Sequence, residues 1–275
     1  MYKKIECNPF IYKNVECLVR FKHENNGSFD KLKGDKRMKL AFISDIHGNA
    51  AALEAVLTDI KQRNAERIFV LGDLCFRGPE PKRALELIRS LDTDVIKGNA
   101  DEWVIRGVDK GEVPDQALDM MNKERAWIRG QLDVESIDYL RKLPNELKLD
   151  IEGVKIHAFH ATPDSLFDVV LPDESDETII SKMMVKEADV YVYAHIHKPY
   201  VRYLNGKCIV NIGSVGLPFD GMKKAAYLIL DVSEGSFQAS IIRVGYDVDQ
   251  VIQQWNESDY PNTEQLTSIL EKAKI

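Results

Sequence analysis

Cysteine is scarce in this sequence, with four residues in 275, and long apolar runs are lacking. The cysteines fit neither a zinc knuckle nor a dense disulfide framework, which predicts reduced thiols and a cytoplasmic location. No apolar stretch reaches the roughly 20 residues that cross a bilayer, so no membrane association is expected. Lys and Glu interrupt the short apolar stretches of the N-terminus, which argues against a signal peptide.

Positive charge is also in short supply. The formal net charge is −7, which excludes a general basic field for nucleic acid and predicts no nucleic-acid patch. Histidine is limited to six residues, yet four of the six fall in one ordered series of short polar motifs. Chemistry that depends on imidazole is therefore concentrated in that series.

The N-terminal segment differs from the rest of the chain. Residues 1–37 are rich in Lys and Arg and end in a linker-like run of small and polar residues. We expect an N-terminal extension without stable structure, with a β-hairpin around residues 10–21 as the alternative. Deleting residues 1–37 would then leave folding and activity intact.

From Met38 onward the hydrophobic pattern alternates between strands and helices. The first β-α-β-α-β order predicts parallel strands with right-handed crossovers, and the strand-rich second half predicts a second sheet. The expected fold class is α/β, with two mixed sheets packed face to face and helices outside. We predict a domain at 38–246 with a helical cap insertion at 109–145, followed by a C-terminal helical tail at 247–275.

Five short motifs follow predicted strands, each where the strand gives way to a turn. They supply seven candidate metal ligands: Asp45 and His47, Asp73, Asn99, His160, and His195 and His197. The carboxyl ends of strands in open α/β sheets form ligand sites, so these side chains are expected to converge. Seven donors suffice for two metal ions that share one carboxylate, which points to metal-assisted hydrolysis of a phosphate ester.

Each motif is weak evidence by itself. Asp and Asn residues at these places also cap helices and form turns, and Asn49 looks like a helix N-cap. In an extended segment, residues two apart face the same way, so each of the two pairs is expected to reach one metal from extended backbone. His157, three residues before His160, would face the opposite side and is interpreted as structural.

The strings that carry these residues are D-I-H-G-N, G-D-L-C-F-R-G-P, G-N-A-D, H-A-T-P and A-H-I-H. In this order they resemble the calcineurin-like metallophosphoesterase superfamily, and most closely its small prokaryotic phosphodiesterase-like branch. The resemblance spans roughly residues 38–244. It implies a four-layer α/β/β/α sandwich and a centre that holds two divalent transition-metal ions, with Mn favoured over Fe, Zn, Ni or Co.

By position, the resemblance implies that Asp45, His47 and His197 bind the first metal, and that Asn99, His160 and His195 bind the second. It implies that Asp73 bridges the two ions and that a hydroxide between them attacks phosphorus. Asp73, Asn99 and Arg77 are thus the catalytic candidates.

Arg77 matches the arginine that contacts substrate phosphate in related protein phosphatases, with a surface arginine as the equally weighted alternative. Ser214, after a later strand, is a further candidate substrate contact.

The sequence departs from the superfamily pattern at two positions. Many members carry a general-acid histidine after the Asn, where this chain has Ala100, and Phe76 stands where the protein phosphatases have the Asp that orients it. Asp101, Glu102 or a metal-bound water could replace the acid. Without one, we expect activity on good leaving groups and poor activity on alkyl phosphates.

The predicted function is therefore a phosphoesterase acting on small phosphodiesters, a nucleotide among them, with phosphomonoesters as a further class. Alternatives within hydrolases are a serine/threonine-type protein phosphatase and a dinucleoside polyphosphate hydrolase. A non-catalytic metal-binding interaction scaffold is the alternative outside enzymes.

Overall fold

The computed structural model describes residues 37–275. The predicted N-terminal extension at 1–37 therefore lies almost wholly outside the described residues. The ten strands of the described part are β1 Met38–Ile43, β2 Arg67–Val70, β3 Asp94–Val95, β4 Glu146–Ile151, β5 Val154–Phe159, β6 Val190–Tyr193, β7 Tyr200–Leu204, β8 Lys207–Asn211, β9 Ala225–Ser233 and β10 Ser236–Val244.

Helices alternate with these strands in the first third of the domain and flank the sheets later. They are α1 Ala50–Gln62, α2 Pro81–Ser90, α3 Asn99–Arg106, α4 Asp115–Gln131, α5 Val134–Lys142, α6 Asp176–Met183, α7 Val248–Asn256 and α8 Thr263–Lys272. Asn49 caps α1 as predicted, because its side chain accepts a hydrogen bond from the Ala52 N–H. The short helix α6 was not expected from the sequence.

The strands form two mixed sheets of five strands each. The first has the order β10-β9-β1-β2-β3 and the second the order β4-β5-β6-β8-β7. Strands β1, β2 and β3 are parallel, as are β5, β6 and β8, whereas the outer pairs are antiparallel. The predicted parallel strands are therefore confirmed. In each parallel set, the loops that follow the carboxyl ends of the strands lie at the same edge of the sheet.

Alternation along the strands divides the buried residues into layers. Leu40 and Phe42 of β1 pack with Ile156 and Val192 of the second sheet, between the two sheets. The other face of β1 packs against the helices on the first sheet, and the outer face of the second sheet packs against α6. The result is the expected four-layer α/β/β/α sandwich.

The helices of residues 115–142 join the helical layer of the first sheet. Met121 and Ile128 of α4 and Leu140 of α5 lie in the same buried cluster as the helices α1 to α3. Trp255 of α7 lies in that cluster too, as do other residues of the C-terminal helices. A cap function for 109–145 and the boundary at 246 stay predictions. Within residues 37–275, none of the helices is both long and apolar enough to cross a membrane.

Candidate metal centre

The seven predicted ligands lie in loops that follow the carboxyl ends of parallel strands. Asp45 and His47 follow β1, Asp73 follows β2 and Asn99 opens α3 after β3. On the second sheet, His160 follows β5, and His195 and His197 follow β6. Six of the seven residues are buried and His195 is partly buried. Stacking the two sheets brings their two sets of loops together.

The backbone of these loops differs from the extended geometry expected of the two Asp-x-His and His-x-His pairs. Asp45 and His47 have φ angles of 52° and 49°, and His195 and His197 have 66° and 53°. The expected extended geometry is therefore wrong. In each pair both residues have a left-handed backbone conformation, and this bends the loop so that the two side chains point to the same side. Such backbone costs about 1–3 kcal/mol per residue and is typical of functional sites.

Two glycines allow the loops to lie against one another. A Cβ atom at Gly98 would collide with the Asp73 carboxylate, and one at Gly78 would collide with the His47 carbonyl. Only glycine permits this approach. The spacing between the ligand loops is therefore set by direct backbone contact.

A first group of donors comprises Asp45, His47, Asp73 and His197, whose ligand atoms all lie within 4.8 Å of one another. The Nε2 atoms of His47 and His197 are 3.2 Å apart, and Asp45 Oδ1 lies 3.2 Å from His197 Nε2. Four donor atoms of the kinds that bind divalent transition metals thus face one point.

The tautomers of two of these histidines are set by backbone carbonyls. The Nδ1–H of His47 donates to the Phe76 carbonyl at 2.8 Å, and that of His197 donates to the Leu217 carbonyl. Burial and the neighbouring His197 lower the pKa of His47 to about 4. The neutral His47 ring therefore presents an unprotonated Nε2 to the centre, as metal-binding histidines do.

A second group of donors lies beside the first. Asn99 Oδ1 is 2.9 Å from both His160 Nε2 and His195 Nδ1. Asp73 Oδ2 is 3.5 Å from His160 Nε2 and 3.7 Å from His47 Nε2. One carboxylate oxygen thus faces both groups.

The charges of the buried centre favour a cation. Burial would raise the pKa values of Asp45 and Asp73, but the histidines around them outweigh this and lower both. Burial lowers the pKa of His160, yet the Asp73 carboxylate raises it to about 9 overall. Asp45 Oδ1 is buried and accepts no hydrogen bond. Negative charge and an unpaired acceptor in a dry site fit a divalent ion.

Arg77 lies in the loop after β2, which also carries Asp73, and has one partner deep in the protein. Its Nε donates to Glu124 Oε2 at 3.0 Å, and the Asn262 amide donates to Glu124 Oε1 at 2.6 Å. Glu124 is fully buried on α4, whereas about a fifth of the Arg77 side chain is exposed. Sequence reasoning missed Glu124, although it lies on the buried stripe of α4 with Met121 and Ile128.

Ser214 is bonded to the loop that carries Asp45. It is fully buried, its hydroxyl donates to the Asp45 carbonyl at 2.8 Å, and the same oxygen accepts the Leu217 N–H. The side chain therefore supports the loop that carries Asp45, and the expected substrate contact stays a prediction. His157 bonds to Glu146 at 2.8 Å, away from the donors.

Neither Ala100 nor Phe76 has a side chain that can act as a general acid. Ala100 is buried, and its N–H donates to Asp73 Oδ1 at 2.8 Å. Phe76 packs on Trp103 with ring centroids 5.9 Å apart. Two apolar side chains, Ala100 and Phe76, thus stand where related enzymes have the acid and the carboxylate that orients it.

The two side chains that could replace the acid are both engaged elsewhere. The Asp101 carboxylate accepts the N–H groups of Asp73, Leu74 and Gly98 at 2.8–2.9 Å. Glu102 lies in ion pairs with Lys97 and Arg106 at the surface. Asp101 therefore positions the Asp73 loop, a role that the sequence did not predict.

Comparisons with known proteins agree with this geometry. The family model of the calcineurin-like phosphoesterase superfamily domain matches residues 38–235. An uncharacterized protein of Methanocaldococcus jannaschii is 34% identical over 230 residues, which cover 76% of this chain and 88% of that protein. Phosphodiesterase YfcE of Escherichia coli is 27% identical over 194 residues, covering 70% of this chain and 88% of the relative.

A solved structure extends the likeness to the fold. The crystal structure of a metallophosphoesterase from Sphaerobacter thermophilus superposes with a TM-score of 0.70 at 26% sequence identity. The match covers 86% of this chain and 99% of that one. The fold is therefore shared along nearly the whole of that protein.

Proposed function

Because this chain is a hydrolase that belongs to the calcineurin-like phosphoesterase superfamily, as its motif order predicted, we propose that it cleaves phosphodiester bonds with two divalent transition-metal ions. The observation that carries the proposal is the position of Asp73. One of its oxygens lies within 3.7 Å of His47 Nε2 in the first donor group and 3.5 Å of His160 Nε2 in the second. A carboxylate can bridge two cations in this way, which imidazole cannot.

We propose Mn²⁺ as the metal, with Fe, Zn, Ni and Co as alternatives; a donor set that mixes carboxylate, amide and imidazole ligands suits this group of metals. When bound, two such ions supply an acidified water, its pKa lowered from 15.7 toward ~7, and neutralise charge on the phosphoryl oxygens. The protein holds the donors in place through the Phe76, Leu217 and Leu71 carbonyls, each of which accepts a histidine Nδ1–H.

Arg77 is the side chain that we propose to bind the substrate phosphate directly. Glu124 engages its Nε, which leaves the two terminal nitrogens of the guanidinium available to a phosphoryl oxygen. Arginine binds phosphate through its planar fork of donors, so fixing the Nε end orients that fork. In this proposal Asp73 and Asn99 position the reacting group and Arg77 holds the phosphate.

The preferred substrates carry a leaving group that departs without protonation. Ala100 and Phe76 offer no proton, and the Asp101 oxygens already accept three backbone N–H groups. We therefore favour small phosphoesters with weakly basic leaving groups over a phosphoprotein, whose leaving group is an alkoxide. Cys75 and Cys208 are unpaired and buried, in keeping with a cytoplasmic enzyme.

A metal titration tests the proposal. Metal-depleted protein is loaded with Mn²⁺, Ni²⁺ or Zn²⁺ and assayed on bis(p-nitrophenyl) phosphate, p-nitrophenyl phosphate and cyclic nucleotides. We expect metal-dependent diesterase activity and two bound ions per chain. Asp73→Asn should lose both, while Asp138→Asn, a surface carboxylate paired with Arg141, should match the wild type. A chain that binds no metal and hydrolyses nothing would instead be a scaffold.

A further inference from the structure

Three side chains from separate parts of the chain form one hydrogen-bonded line that ends at Arg77. Asn262, where α8 begins, donates its amide to Glu124 Oε1 at 2.6 Å, and Glu124 Oε2 accepts the Arg77 Nε–H at 3.0 Å. A carboxylate only accepts hydrogen bonds, so the Asn262 group that faces it is the NH₂ group. The helix α8 is thereby connected to the loop after β2 through a single residue of α4.

The backbone on both sides of Arg77 is bonded to the loop of a predicted metal ligand. The Phe76 carbonyl accepts the His47 Nδ1–H at 2.8 Å, and the Glu80 N–H donates to the Gly48 carbonyl at 3.0 Å. Arg77 itself has a left-handed backbone, with a φ angle of 72°, which persists only where the surroundings enforce it. The Arg77 side chain therefore starts beside the first donor group, and its own contacts decide where the guanidinium lies.

Asn262 does not perform the role that its position favours. It is the N-cap residue of α8, where an asparagine side chain ordinarily accepts a backbone N–H of the first turn. Within the described part of the chain its side chain makes no such bond. Its NH₂ group instead donates to Glu124 and, at 2.7 Å, to Gln265 Oε1. A local rule broken in this way is typical of residues that serve a functional site.

An aromatic contact fixes the segment that carries Asn262. The Tyr260 ring is buried and packs edge-on against Trp127 of α4, with ring centroids 4.9 Å apart. The Thr263 hydroxyl donates to the Tyr260 carbonyl at 2.9 Å across the turn before α8. Trp127 lies three residues after Glu124, so the two side chains are neighbours on the helix surface. One face of α4 thus holds both the carboxylate and the segment that supplies its amide donor.

We propose that Asn262 is a positioning residue for the substrate phosphate and acts through Glu124 on Arg77. This inference rests on the proposed function, in which Arg77 holds the phosphate. With both oxygens of Glu124 engaged, the carboxylate has one orientation, and the Arg77 Nε–H that it accepts has one direction. The terminal nitrogens of the planar guanidinium are then aimed as well. Without the Asn262 amide the carboxylate can turn, and the fork loses its fixed direction.

The kinetic test is a double-mutant cycle on the full chain loaded with Mn²⁺, with bis(p-nitrophenyl) phosphate as substrate. Asn262→Ser keeps a good N-cap residue, but its hydroxyl ends one bond short of the amide nitrogen. We expect KM to rise about tenfold with kcat within about twofold, because the phosphate contact serves substrate and transition state alike. In an Arg77→Met background the same substitution should change KM less than about twofold. Asn256→Ser, at the exposed end of α7, should match the wild type.

A second readout does not depend on turnover. Exchange of the Arg77 Nε–H with solvent is followed by ¹H–¹⁵N NMR on the full chain loaded with diamagnetic Zn²⁺, and the signal is assigned by its loss in Arg77→Met. We expect Asn262→Ser to speed this exchange about tenfold, since the bond to Glu124 opens more often. Asn256→Ser should leave the exchange rate unchanged.

The outcomes separate this inference from the proposed function. If the diester is hydrolysed but Asn262→Ser leaves KM unchanged, or raises it equally in both Arg77 backgrounds, this inference fails and the proposed function stands. A higher KM without faster exchange of the Nε–H overturns the route through Arg77. If nothing is hydrolysed but the exchange depends on Asn262, the proposed function fails and the positioning of Arg77 by Asn262 stands.

Discussion

Replacing Glu124 by Gln should loosen the link between α4, α8 and the loop of the metal centre. Glu124 is fully buried and accepts Arg77 Nε on one oxygen and the Asn262 amide on the other. Glutamine has the same shape but only one carbonyl oxygen. Whichever way the amide turns, one N–H donor of the pair faces an NH₂ group instead of an acceptor.

The change in unfolding free energy combines the hydrogen bonds that the variant loses with the carboxylate desolvation cost that it no longer carries. Hydrogen bonds to a charged group contribute about 1.5–3 kcal/mol each, and a neutral one about 0.5–1.5 kcal/mol. The variant loses one bond and weakens the other, but it no longer desolvates a carboxylate. Arg77 is 21% exposed and can regain water. The net loss should be about 2 kcal/mol, which lowers the Tm by about 4–8 °C for a domain of this size.

Thermal unfolding at a fixed Mn²⁺ concentration measures the effect. Glu135→Gln serves as the control, because Glu135 pairs with Arg89 at the surface with 78% of its side chain exposed and should leave the Tm unchanged. The reasoning is refuted if Glu124→Gln also leaves the Tm within about 1 °C of wild type. An Arg77→Lys variant should lower the Tm as well, since its ammonium lacks an Nε to donate to Glu124.

Three further outcomes are expected. Asp101→Asn turns an NH₂ group toward one or two of the three backbone N–H donors that the carboxylate accepts and should weaken Mn²⁺ binding about 10–100-fold by calorimetry; unchanged affinity would contradict its positioning role. Aryl phosphodiesters should react about 10²–10⁴-fold faster than alkyl ones, since Ala100 donates no proton; equal rates would refute this. Burial would raise the pKa of Glu146, but hydrogen bonds from Lys186 and His157 lower it from 4.5 to about 2. Because that folded-state pKa is depressed, the stability advantage of wild type over Glu146→Gln should hold above pH 4.5 and vanish toward pH 2; Glu187→Gln, at an exposed pair, should show no such trend in urea unfolding.

The sequence was informative where physical rules act locally. Alternating strands and helices predicted parallel strands, and parallel strands necessarily bring the residues after their carboxyl ends to one edge. Asp45 and Asp73 follow the neighbouring parallel strands β1 and β2 and meet at such an edge, whereas His160 follows β5 of the second sheet and comes to 4.0 Å from Asp45 Oδ1 and 3.5 Å from Asp73 Oδ2 only because the two sheets stack. The inference works because strand direction, unlike side-chain packing, follows from hydrophobic periodicity and connection length.

The sequence was less informative about contacts between distant segments. Glu124 and Arg77 are 47 residues apart, and nothing local to either residue indicates the other. The left-handed backbone of the ligand loops could not be inferred either, because Asp and His adopt it only when surrounding contacts enforce it. Helix α6 was missed although Ser175 caps it in the expected manner. Its eight residues are too few for a strong periodic signal.

The distance in sequence between the ligands has a thermodynamic consequence. His47 and His197 are 150 residues apart, yet their Nε2 atoms lie 3.2 Å from each other only after both sheets have docked. The unfolded chain therefore holds no equivalent site, and a divalent ion binds the native state almost exclusively. By mass action, an ion at a hundred times its Kd stabilises that state by about 2.7 kcal/mol. The Tm of this protein should therefore rise with the free metal concentration, and a chelator should lower the Tm of the unmodified chain.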